Sequence, residues 1–122
     1  MSVGAYKYFN PVQDPKMVGL VGDLMAMLDQ ARHIAGIPFV ITSGLRTKAE
    51  NDALPTAVQN SAHLTGQAVD LAYSTSTQRL LIMKGLYAAG FNRLGMGTNY
   101  IHADISKTLP QNVFFLEDGL AH

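Results

Sequence analysis

Two short segments carry the side chains with the most scope for chemistry. Ser61-Ala62-His63-Leu64-Thr65-Gly66-Gln67-Ala68-Val69-Asp70 holds an imidazole and a carboxylate, and Tyr100-Ile101-His102-Ala103-Asp104 holds a second such pair. The sequence contains no cysteine, so disulfides and thiolate metal sites are excluded and any metal site must be built from His, Asp or Glu. Two imidazoles and one carboxylate suffice for a catalytic zinc ion, which takes three protein ligands and leaves its fourth position to water. Spacing alone fits equally well a pair of surface or hydrogen-bonded histidines. The other two histidines read as bland: His33 lies within a helical pattern beside Arg32 and off its apolar stripe, and His122 is the last residue, where chain ends fray.

The elements that must position these residues follow from periodicity. Met17, Val21, Leu24, Leu28, Ala31 and Ala35 recur at three- and four-residue intervals, which predicts an amphipathic helix stopped by Gly36 and Pro38. Phe39 to Thr42 is β-prone and reads as a buried strand. Leu45 to Gln59 has no clear period and reads as a long loop, with one helical turn around Lys48 to Asp52. Such loops tend to be functional, and this one leads directly into the first histidine segment. Gln67 to Tyr73 reads as a second strand, Thr77 to Ala89 as a second helix ending at Gly90, and Tyr100 to Ile105 as another strand. The expected fold class is therefore α+β, with two main helices and a small, largely antiparallel sheet. A single domain is expected over residues 1–122, with a core of about 12–106 and a tail of 107–122, where Phe114 and Phe115 pack back on the core or meet a partner.

Composition narrows the partners. Nine basic and nine acidic residues balance to a formal charge of zero, so the clustered positive excess that phosphate binding needs is missing and nucleic acid is not expected. With 48% hydrophobic and 15% charged residues the chain is expected to fold rather than remain disordered. No apolar run approaches the roughly 20 residues of a membrane span.

The two histidine segments, together with Ser43-Gly44-Leu45-Arg46-Thr47, resemble in order and separation the three blocks of the zinc D-Ala-D-Ala carboxypeptidase and phage endolysin peptidase family, the M15-like group with the hedgehog/DD-peptidase fold. The resemblance covers about Met17 to Ile105. It implies one Zn²⁺ per chain held by His63, Asp70 and His102, an Arg46 that steadies a substrate carbonyl oxygen or carboxylate, and a Ser61 that contacts substrate. Gly66 would let the chain turn so that His63 and Asp70 converge. Asn51 and Ser43 are expected to satisfy loop backbone groups. The implied reaction is hydrolysis of peptidoglycan stem peptides, at a D-Ala-D-Ala or an L-Ala-D-Glu bond.

One departure concerns the base. Many members of that family carry Glu or Asp three residues before the last His, and this chain has Asn99, whose amide cannot accept the proton. Asp104 is the leading candidate, since residues two apart on a strand share a face; its alternative role is to orient the imidazole of His102. Glu50 is a more distant candidate. With no export signal or anchor read from the sequence, the expectation is a monomeric phage lysis enzyme or virion-associated lysin, made in the host cytoplasm and acting at the cell wall. The alternative is a catalytically silent, zinc-binding family member serving as a phage structural or wall-binding module.

Overall fold

The structure, a computed structural model, describes residues 6–9, 16–45, 47, 49–50, 53 and 62–117. Helix α1 spans Gly22–Ala35 and helix α2 spans Ser76–Ala88. The strands are β1 (Ile41–Ser43), β2 (Ala68–Ala72), β3 (Arg93–Met96), β4 (Tyr100–Asp104) and β5 (Val113–Leu116), with a short 3₁₀ helix over Ala62–Thr65 between β1 and β2. They form one sheet in the order β1-β2-β4-β3-β5. The fold class is α+β, as the sequence predicts.

Local chemistry sets the element ends. Helix α1 begins later than the apolar spacing suggests: Val21 is its extended N-cap residue, and Met17 lies in a separate turn. Helix α2 opens on a capping box in which the Thr75 hydroxyl accepts from Gln78 N at 3.1 Å and the Gln78 side chain accepts from Thr75 N at 3.3 Å. Thr47 and Glu50 make the same reciprocal pair, with Thr47 N donating to Glu50 Oε1 at 2.9 Å, and Ala53 N donates to Ala49 O. A helical turn therefore does begin in the loop after β1.

Two strands lie outside the sequence expectation. Strand β3 is short and interrupted by Gly95, which hides its period. Strand β5 falls within the segment read as a tail; it pairs in parallel with β3, while the other pairings are antiparallel.

Alternation along the strands separates the two faces of the sheet. Val69 and Leu71 of β2, Ile101 and Ala103 of β4 and Leu94 of β3 join Leu24, Leu28 and Ala31 of α1 and Ile82 and Leu86 of α2 in one buried cluster. The intervening residues, Asp70, His102 and Asp104, belong to the opposite face. Among the described residues no helix is long and apolar enough to cross a membrane.

Candidate metal centre

The register of β2 on β4 sets Asp70 directly opposite His102 and Ala68 opposite Asp104. His63 reaches the same point from the 3₁₀ helix. Gly66 makes that approach feasible: its φ of 71° is left-handed, and a β-carbon there would collide with the carbonyl oxygen of Gly19. The chain can therefore press against the segment before α1 and turn back into β2.

Three donor atoms converge. His63 Nε2 lies 3.2 Å from Asp70 Oδ1 and 3.2 Å from His102 Nδ1, and His102 Nδ1 lies 3.0 Å from Asp70 Oδ1. All three residues are buried. Among the described residues His63, Asp70 and His102 form the one group whose ligand atoms lie close enough together to hold a metal ion, all within 4.8 Å of one another.

The outer nitrogens decide what these atoms present to each other. His63 Nδ1 lies 2.8 Å from the carbonyl oxygen of Gly44, which can only accept, so Nδ1 carries the proton and a neutral ring turns its Nε2 lone pair inward. His102 Nε2 lies 2.6 Å from Asp104 Oδ2, which by the same logic leaves the Nδ1 lone pair pointing at Asp70. Two lone pairs and a carboxylate oxygen thus face one another across about 3 Å, an arrangement stable only with a positive charge among them. In the protein without metal that charge is a proton. Burial pushes the His102 pKa down, but Asp104 and Asp70 outweigh it and raise it to about 9. Burial likewise pushes Asp70 up, yet its contacts with the His102 and His63 imidazoles hold it well below the usual carboxylate range.

Asp104 stands on the far edge of the His102 ring from this cluster. Its Oδ2 also accepts from Arg93 Nε at 3.0 Å, and its Oδ1 accepts from Ser106 N at 3.0 Å. Strand sharing does place Asp104 beside His102, as expected, but against the nitrogen that faces away from His63 and Asp70. Its lone pairs are taken by three donors, an arrangement that fits the alternative role of orienting the imidazole.

Two further groups complete the surroundings. Arg93, on β3, holds Asp104 from behind, donates to Pro110 O at 2.9 Å and lies over the Phe115 ring. Glu117, just after β5, accepts from the Tyr100 hydroxyl at 2.9 Å and sets Oε1 4.0 Å from His102 Nδ1. Neither was singled out from the sequence. Arg93 carries no motif signal, and Glu117 is brought in only by the parallel pairing of β5. Arg46, Ser61 and Asn51 lie outside the described residues. Glu50 is exposed and engaged with Thr47, His33 is exposed with Nδ1 2.8 Å from the Tyr8 hydroxyl, and Asn99 is exposed.

Among the described residues, three carboxylates (Asp70, Asp104 and Glu117) against one guanidinium (Arg93) leave an excess of negative charge around the two imidazoles, which a divalent cation would balance. The donor set, two neutral imidazoles and one carboxylate with both rings fixed by outer acceptors, suits zinc.

Two comparisons with known proteins bear on the fold and the family. Among curated proteins none matches the chain. Among solved structures, the L-Ala D-Glu endopeptidase ChiX of Serratia marcescens superposes with a TM-score of 0.55 at 20% sequence identity, over 75% of this chain and 84% of that one, which establishes a shared fold. The profile of the peptidase M15 family matches residues 7–104, a span that takes in every strand of the centre except β5, and the chain belongs to that family.

Proposed function

We propose that this protein is a zinc peptidase of peptidoglycan stem peptides, with one Zn²⁺ per chain on His63 Nε2, Asp70 Oδ1 and His102 Nδ1. The carrying observation is the convergence of those three atoms with each imidazole's other nitrogen already committed, to Gly44 O and to Asp104. Such a site arrives at its metal with the tautomers set. When bound, the ion would supply Lewis-acid polarisation of a water and of the scissile carbonyl. Asp104 holds His102 in orientation, and Arg93 holds Asp104. Arg46 and Ser61 are assigned to substrate on the resemblance of their blocks, Arg46 to the carbonyl oxygen or a peptide carboxylate.

The substrate class rests on family membership and on the fold shared with an L-Ala D-Glu endopeptidase. A phage lysis or virion-associated role at the cell wall, as a monomer, is the biological setting proposed with it. Asn99 favours the second reading, a silent zinc-binding module.

Purified protein incubated with peptidoglycan sacculi, with and without a zinc chelator, separates the two. Chelator-sensitive peptides identified by mass spectrometry would establish the peptidase and name the bond from the new termini. Protein that holds zinc yet releases nothing would leave the silent module.

A further inference from the structure

We infer that Glu117, delivered by β5, is the general base of the hydrolysis, in the place that Asn99 leaves vacant. The inference rests on the peptidase reading above. A base must be a carboxylate or imidazole outside the ligand set, near the ligands, and open to the side from which substrate arrives. His63, Asp70 and His102 are the ligands. Asp104 is 1% exposed and faces the wrong edge of His102. Glu50 is committed to the turn at Thr47.

Glu117 meets each condition. Its Oε1 lies 4.0 Å from His102 Nδ1, the nitrogen that faces the metal position. That separation is too long for a direct hydrogen bond and is the kind of gap that one water bridges. The Tyr100 hydroxyl fixes the other oxygen at 2.9 Å, so the carboxylate is held rather than swinging free. The side chain is 22% exposed, against 8% for His102 and 10% for Asp70, which puts it between the buried centre and solvent. Gly95, paired with both His102 and Phe115, leaves the space: a β-carbon there would sit 3.0 Å from Glu117 Oε1 and 2.5 Å from the Phe115 ring.

In the reaction, one O–H bond of the attacking water breaks and its proton passes to Glu117, while its oxygen bonds to the carbonyl carbon. The C–N bond then breaks, and the same proton passes from Glu117 to the departing amine. Amide and water give acid and amine, with no other reactant required.

The test is Glu117→Gln, which keeps an oxygen for Tyr100 to donate to. Release of peptides from sacculi at saturating zinc should fall about 10²- to 10⁴-fold, the usual contribution of a positioned base. Zinc affinity, measured by competition with a chromophoric chelator, should stay within about threefold of the parent, because the base is not a ligand. Turnover within about tenfold of the parent would overturn the inference while leaving the peptidase reading intact. So would a loss of zinc affinity of tenfold or more, which would make Glu117 a fourth ligand closing the site. A zinc-loaded parent that releases nothing would defeat the peptidase reading itself, and the base assignment with it.

Discussion

Removing Asp104 separates an orienting role from a catalytic one. Its carboxylate accepts from His102 Nε2, Arg93 Nε and Ser106 N, and it is 1% exposed. Asp104→Ala strands all three donors. The imidazole loses the acceptor that fixes its tautomer, and loss of such a partner typically weakens metal binding about 10- to 100-fold, or about 1.4 to 2.8 kcal/mol. Breaking the buried pair with Arg93 costs about 3–5 kcal/mol of stability, a large part of what such a domain has. Asp104→Asn is the gentler variant. Its cheaper orientation keeps the amide oxygen on His102 and Arg93 and turns the NH₂ toward Ser106 N–H, setting donor against donor at about 1–3 kcal/mol. Zinc affinity should then fall by about tenfold, the low end of the range. Competition titrations give the affinities, thermal melts the stabilities, and sacculus digestion at saturating zinc the turnover. We expect both variants to bind zinc more weakly in the order Asn, then Ala, and turnover to recover substantially once zinc is in excess. Parent-like zinc affinity in both, with turnover abolished at saturating metal, would refute the reasoning and return Asp104 to the base position.

Three further outcomes are expected. Gly66→Ala should destabilise the fold by at least about 1–2 kcal/mol, the cost of the left-handed backbone for a residue with a β-carbon, with the collision against Gly19 added; an unchanged urea midpoint would count against the described turn. In metal-free protein the raised His102 pKa, about 9 against an ordinary 6.5, contributes stability in full below pH 6.5 and loses it as the pH climbs to 9, so melts in chelator should drop across that window and those of His102→Gln should not. The same protonation requires zinc binding near pH 7 to expel about one proton, read from calorimetry in buffers of different ionisation enthalpy; binding with no proton release would show that the imidazole is already neutral.

The proposed ligands were legible as a cluster because chemistry confines metal ligands to a few residue types: in a chain without cysteine, two histidines in polar, aspartate-bearing segments stand out, and the resemblance of their blocks pairs them with Asp70, beside which the structure sets both. The fold class was legible from the period of α1 and from the apolar runs of β2 and β4. Other features depend on pairing rather than on local pattern. Strand β3, four residues with a glycine inside, offers too little alternation to read, and although Pro110 and Asn112 mark a turn before Val113–Leu116, nothing in that run says that it will lie beside β3. Glu117 and Arg93 acquire meaning only through those two strands. The edge of His102 that Asp104 would meet was likewise open, since sharing a strand face fixes proximity but not which ring nitrogen is approached.

Register ties the centre to the core. Val69, Leu71, Ile101 and Ala103 must all face the helices, and a slip of one residue between β2 and β4 would turn them outward and drive Asp70 and His102 into an apolar layer. The hydrophobic demand that fixes the sheet therefore also fixes Asp70 opposite His102. Gly44 and Asp104 then set the two rings through contacts that involve no metal. A site built this way differs from a zinc finger, in which the ion organises the chain: here the polypeptide itself bears the cost of bringing His63, Asp70 and His102 together.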